Sequence, residues 1–486
     1  MSNQDEVART KAQERMFEVE LAEALDSPPE LAMPIDEGFA DSAAPKARVA
    51  RTWLGAAAAL LGLAVTVLVA WQQSQPAVTA QDPVVPMPLM PRPEIIFSQK
   101  QLATFAAESQ NLLVNSVAFE SYEALTRFAE LRRLQISGSG VKSPTKNALV
   151  PLGKLQQLEE LNIPLQSEMA AEHLHAIAAA AKLHTLTLRL LRALTVADVK
   201  ALKRLPQLRT LQLQGGEVDA ATIRSLSDLP HLDDLQIRGV NGCTEEVLVN
   251  LRTIHRLRRV GLAEIGEVPL VEQLSGKTVP GAGLTPAVAR ALGELPLLED
   301  VSFFSCQVTT AAIGALPTSL RGIDITYCPD VTSADLLALR RCRGLQRLHL
   351  DSFSVRRWPN ALPQGGLRKP DDTAAAQATL IRDLPLTQLG FTGAMPEAVR
   401  TAVAAKATLT DVTLHWFTRE NLATVGQLKS LQRLTLISSL TTKPKDTALL
   451  APCESLQELV ILHCYAGPEL VVGHVPGVAV TGVWLR

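Results

Sequence analysis

Aromatic side chains are scarce in this 486-residue chain, 4 % of the total against 47 % apolar residues. Its interior must therefore be filled by Leu, Val, Ile and Ala, which suits stacked, repetitive layers. Cysteine is sparse as well. Cys243, Cys306, Cys328, Cys342, Cys453 and Cys464 lie more than ten residues apart, so the CxxC pairs of zinc and thioredoxin-like sites are absent, and six are too few for a disulfide framework at this length. Long basic runs, and basic faces with interleaved aromatics, are missing too, which argues against nucleic-acid binding. Nor is there an HExxH, GxSxG, P-loop or GxGxxG sequence to announce catalysis or a cofactor.

The net charge of −2 conceals an asymmetry. Residues 1–45 hold eleven acidic and three basic side chains, and this acidic composition reads as a solvated cytoplasmic tail over 1–50. Residues 4–26, with Val7, Phe17, Leu21 and Leu25 among the charges, could instead form a short docking helix. Trp53 to Trp71 then reads WLGAAAALLGLAVTVLVAW, nineteen residues without a charge, enough to span a hydrocarbon core of about 30 Å as a helix. Lys46, Arg48 and Arg51 precede it, and the next basic residue is Arg92. The positive-inside rule puts the N-terminus in the cytoplasm and the rest across the membrane. Residues 72–93 carry six prolines, the composition of an extended spacer. The Ala-rich anchor suits a bacterial inner membrane.

Beyond residue 130 one phrase recurs, with apolar residues at its first, fourth and sixth positions. Its thirteen copies begin at Leu131, Leu158, Leu183, Leu208, Leu232, Leu257, Leu298, Leu320, Leu345, Leu386, Leu409, Leu431 and Leu456. Intervals cluster near 25 residues except for two of 41. A period of this size signals a solenoid. Alternation within the phrase predicts a short strand whose apolar residues turn inward. Between phrases lie helix-like stretches with start signals at Thr195, Asp219, Thr285-Pro286 and Thr418.

The pattern resembles the leucine-rich-repeat family, whose phrase is LxxLxLxxN/C. LEDVSFFSC, LRGIDITYC and LQELVILHC match through the cysteines at 306, 328 and 464, and the stretch from Cys328 to Leu348 is similar to the cysteine-containing and ribonuclease-inhibitor-like subclasses. The resemblance covers roughly residues 110–486 and implies an α/β right-handed horseshoe over 94–486, with a concave parallel sheet and outer helices. It also implies a protein-binding scaffold rather than an enzyme, with no cofactor; a purely structural role in the cell envelope stays open beside it. The ladder position departs from the pattern at Ser139, Gln166, Leu191, Gly216, Val240 and Phe353, so an asparagine ladder is lacking and regular loops are in doubt.

The two long intervals place about sixteen extra residues each after Leu262 and Phe353, and long loops on a regular scaffold carry function more often than not. They leave copies three rungs apart, about 14 Å along one rim. Between them the outward strand positions offer Asp300, Ser302, Phe304, Asp324, Thr326, His349 and Asp351, with Arg356, Arg357 and Trp358 in the second loop. These ten residues are the candidate partner-binding surface, because Trp and Arg dominate binding hot spots. Trp358 has an equal claim as a loop anchor packed on the scaffold. Asp324, His349, Asp351, Asp411 and His415 share nearby rungs and could be read as a metal or acid-base site. Regular rungs make a polar contact patch the stronger reading, and alternating charges at the third position suggest cross-strand pairs. Cys306 and Cys328, stacked in adjacent units, read as buried free thiols because ladder side chains run parallel.

Overall fold

The computed structural model describes residues 94–96, 102, 104–114, 122–136, 149–165, 171–265, 283–309, 311–328, 330–351, 371–437, 444–462 and 478–483. All of them belong to one compact unit, Ala77–Arg486. The expected tail, membrane segment and most of the spacer lie outside the described residues, as do Arg356, Arg357 and Trp358. Among the described residues no helix is long and apolar enough to cross a membrane.

The strands are β1 (Glu94–Ile96), β2 (Asn111–Val114), β3 (Arg133–Ile136), β4 (Glu160–Leu165), β5 (Thr185–Leu190), β6 (Thr210–Gln214), β7 (Asp234–Arg238) and β8 (Arg259–Ala263). They continue as β9 (Asp300–Phe304), β10 (Gly322–Thr326), β11 (Arg347–Asp351), β12 (Gln388–Thr392), β13 (Asp411–His415), β14 (Arg433–Ile437), β15 (Glu458–Leu462) and β16 (Ala479–Val483). All sixteen form one sheet in strict sequence order, and every neighbouring pair is parallel, for example Asp300 beside Gly322 beside Arg347. Parallel neighbours need a crossover at each step, and the segments between phrases supply it. This is an α/β solenoid of stacked strand-and-crossover units, as the recurring phrase predicts. Thirteen strands are those of the recurring phrase. The other three, β1, β2 and β16, lack it: in β2 the place of the first leucine is taken by Ser109.

Burial explains why the phrase specifies the fold. In a typical unit Leu208, Leu211 and Leu213 are all at most 2 % exposed, and each such side chain contributes roughly 1.5–3 kcal/mol of burial. The helices begin as expected. Thr195, Asp219, Thr285 and Thr418, and also Thr244 and Thr332, accept a hydrogen bond from the backbone N–H three residues on.

Loop geometry proves regular despite the missing asparagine ladder, and two devices replace it. The residue at the eighth position of the phrase adopts a left-handed conformation in Gly215, Gly239, Glu264, Ser305, Tyr327, Gly393 and Trp416. Its N–H generally reaches the last strand carbonyl of the next unit, as from Gly215 to Arg238, Ser305 to Thr326 and Trp416 to Ile437. The second device is a polar residue at the third helical position that ties its unit to the one before. Thr222 Oγ1 donates to the Leu194 carbonyl, and Asp335 Oδ1 accepts from the Ala311 N–H. Asn421 does both, accepting from the Met395 N–H at 3.0 Å and donating to the Gly393 carbonyl at 2.7 Å. Cysteines fill part of the ladder: Cys306 donates to the Leu262 carbonyl and Cys328 to that of Phe303. The five described cysteines are buried and free.

Candidate functional site

Because positions four and six of each phrase turn toward the helices, positions three, five and seven form the sheet's open face. Glycines on this face let side chains reach across a whole strand. Arg347 on β11 spans Gly322 to pair with Asp300 on β9, its Nε donating at 3.1 Å; a Cβ at Gly322 would fall 1.8 Å from the Asp300 carboxylate. Gly390 does the same for His349, whose ring occupies the space a Cβ would need, 2.4 Å away. Over that gap the rings of His349 and His415 lie 5.5 Å apart.

On the other side His349 Nδ1 stands 3.4 Å from Asp324 Oδ2, while its Nε2 is 3.2 Å from Thr392 Oγ1. Asp324 Oδ1 accepts from Thr326 at 3.0 Å. Two buried atoms of this cluster have no hydrogen-bond partner among the described residues, Asp324 Oδ2 and His415 Nε2. Burial, and secondarily the neighbouring His349, pushes the His415 imidazole well below the ordinary histidine range, so it is neutral at pH 7. At the other end of β13 burial raises the Asp411 carboxyl to about 6, with Glu458 reinforcing and Arg433 opposing the shift.

The structure thus brings Asp324, His349 and His415 together, but Asp351 and Asp411 serve elsewhere. Asp351 is 2 % exposed, and its carboxylate accepts the Tyr327 N–H. In the regular units that N–H would go to a strand carbonyl; here the Asp351 carbonyl is taken by the Gln377 side chain at 2.8 Å. Asp351 therefore repairs the ladder where the long interval begins. Thr326 is buried too, so neither residue offers the contact expected of it. Asp300, Ser302, Phe304 and His349 remain partly exposed. Among the described residues no three His, Cys, Asp or Glu side chains are placed to hold a metal ion.

Above this polar cluster runs an aromatic chain that the strand pattern did not reveal. Phe304 ends β9, Tyr327 follows β10 and Trp416 follows β13. Phe304 and Tyr327 meet edge to face at 5.1 Å, and Tyr327 meets Trp416 in the same way at 6.0 Å. Trp416 is 37 % exposed. Tyr327 and Trp416 occupy the left-handed eighth position, with φ of 55° and 47°, which costs a non-glycine residue about 1–2 kcal/mol. Gly215, Gly239 and Gly393 show what the backbone prefers there. Bulky aromatics that replace glycine at such positions point to function rather than stability.

No family model and no curated protein matches the chain. Among solved structures it is similar to an internalin (inlF) from Listeria monocytogenes, at 13 % identity over 80 % of this chain and 89 % of that one, with a TM-score of 0.31. It is also similar to TLR13 in its complex with ssRNA13, at 12 % identity over 79 % of this chain and 58 % of that one, with a TM-score of 0.37.

Proposed function

We propose that the chain is a membrane-anchored, non-catalytic scaffold whose repeat domain binds another protein through the open face of β9–β13. The observation that carries this reading is the aromatic chain Phe304–Tyr327–Trp416, which ends in a tryptophan exposed on a rigid sheet at a position where glycine would fit better. Tryptophan and tyrosine are enriched at binding hot spots, and no regular function in the repeat calls for them at the eighth position. The apolar run 53–71 and the Lys46, Arg48, Arg51 cluster before it support a single-pass anchor with a cytoplasmic N-terminus. The cysteine-ended phrases favour the cysteine-containing, ribonuclease-inhibitor-like subclass. The lipid bilayer and one protein ligand are then the partners, with the solenoid extracytoplasmic.

A photo-crosslinking amino acid at Thr413, on the open face of β13, tests the surface in intact cells, with Lys200 on the helical side as its control. A discrete adduct from position 413 that is absent at 200 is expected; no adduct at 413, or the same adducts at both, refutes the assignment. Protease added to spheroplasts tests the topology, since a protected repeat domain would reverse it.

A further inference from the structure

The rim at the strand starts, formed by the turns that lead from the helices into β6–β12, is basic. All residues of these turns are described, because the undescribed ones between β6 and β12 each follow a strand and precede its helix. Asp233, Glu294, Glu299 and Asp383 are each paired with an arginine, which leaves Asp228 as the one unpaired carboxylate of these turns. Lys203, Arg204, Arg256, Arg321 and Arg343 have neither a carboxylate nor a side-chain hydrogen bond, and all five are exposed. Helix polarity accounts for Lys203 and Arg204, which sit at a helix C-terminus. It does not account for the other three, which lie past the last helical turn. Those three gather in one stretch. Arg256 leads into β8, Arg321 into β10 and Arg343 into β11, and on the rung between, before β9, stands Leu297, 43 % exposed at the place Arg256 holds in its own unit. Adjacent strands are about 4.8 Å apart, so the four residues span about 14 Å of rim. An exposed leucine among unpaired arginines is the composition of an interfacial membrane contact: the apolar side chain enters the headgroup region while guanidinium groups hold phosphates through paired N–H bonds. A soluble polyanion makes no use of the leucine, and single-stranded nucleic acid calls for an aromatic platform. This rim has none: Trp416, the one large exposed aromatic among the described residues, follows β13 at the opposite rim.

Resting on the membrane-anchored reading above, and independently of the protein ligand, we infer that this rim docks on anionic phospholipid headgroups of the bilayer that holds the chain. Arg256, Arg321 and Arg343 take the phosphates, and Leu297 enters between them. The docked rim lies at the strand starts and the aromatic chain at the strand ends, so the aromatic end of the open face stays clear of the lipid.

A photo-crosslinking amino acid at Leu297 reads the contact in the full-length chain held in lipid nanodiscs, with Leu337, an exposed leucine on a helix, as the control position. In discs of phosphatidylcholine with phosphatidylglycerol, position 297 should gain a phospholipid adduct by intact mass. Its yield should be about tenfold above that at 337 and above its own yield in phosphatidylcholine alone. The combined variant Arg256→Gln, Arg321→Gln and Arg343→Gln removes only exposed charges without partners, so stability should hold while the adduct falls by about tenfold or more. No adduct at 297, equal adducts at 297 and 337, or an adduct indifferent to the three substitutions overturns the inference. So does capture of an added oligonucleotide or polyglutamate at 297 where phosphatidylglycerol gives no adduct, which assigns the rim to a soluble polyanion. If the discs do not retain the chain, the anchor is refuted, and phosphatidylglycerol vesicles mixed with the soluble chain decide the rim by the same adduct.

Discussion

Replacing Asn421 by alanine tests whether the polar residue at the third helical position holds neighbouring units together. Its amide is fully buried and serves two backbone groups of the preceding unit, the Met395 N–H and the Gly393 carbonyl. Truncation leaves both without a partner in a place water does not reach. An orphaned buried group costs about 1–3 kcal/mol, so the pair should cost about 2–6 kcal/mol, against about 0.5 kcal/mol or less for an ordinary surface substitution. A solenoid does not unfold as one unit, and a denaturation midpoint could miss a local opening. Amide hydrogen exchange at Met395 reads it directly. At about 3 kcal/mol that amide should exchange roughly a hundredfold faster, while amides of β4–β8 keep their protection. Asn421→Asp retains the acceptor for Met395 and loses the donor to Gly393, so it should show much less acceleration at that amide. Unchanged exchange at Met395 in the alanine variant would mean that packing alone joins these units.

Two titrations on β13 should oppose each other. His415 is held neutral, its pKa depressed by burial, so its contribution is intact above the unfolded value of about 6.5 and is lost as pH falls below it; His415→Gln should flatten the stability profile there. Asp411 has a raised pKa, about 6 against an ordinary 3.8, so the folded state favours its protonated form and stability is lost as pH rises from about 4 through 6. Asp411→Asn should stabilise the protein at pH 7 and give no gain at pH 4, as urea melts at the two pH values would show; equal gains at both would remove the burial argument. The thiols provide a further check: burial raises Cys243 to about 12 and Cys453 to about 11, so native protein should react slowly with a thiol reagent. The denatured, unreduced chain should titrate all six cysteines, and a count of four would reveal a disulfide.

Periodicity exposed the solenoid because the information needed is local. Leu345, Leu348 and Leu350 are buried in one core continuous with the equivalent leucines of neighbouring rungs, and because every rung must offer the same face to the next, thirteen strands could be placed from one phrase. β1, β2 and β16 escape because they depart from the phrase, as where Ser109 stands in place of its first leucine. The open face obeys a different rule. Which side chains meet there depends on residues one and two strands away and on gaps between them, and neither is written within a single phrase. Asp351 has the strand position of a contact residue, yet Gln377 takes its carbonyl and its carboxylate turns to the Tyr327 N–H. Tyr327 and Trp416 lie one residue past their strands, where the alternation no longer assigns a face.

A usable signal was nonetheless present in the aligned copies. Where the eighth position is glycine in some units, as at 215, 239 and 393, its backbone demands a left-handed turn, and a bulky residue in another unit is carrying a cost. Where an open-face position is glycine, as at 322 and 390, the flanking strands can reach one another and pair. Each glycine therefore marks its neighbours. Gly322 marks Asp300 with Arg347, Gly390 marks His349 with His415, and Gly393 marks the strain at Tyr327 and Trp416. Gly322 and Gly390 lie on β10 and β12 and Gly393 directly follows β12, the stretch that also holds Asp324 and Asp351. Stacked repeats make such exceptions comparable rung by rung, and the exceptions converge on one surface, where selection for binding could act without disturbing the leucines that build the sheet.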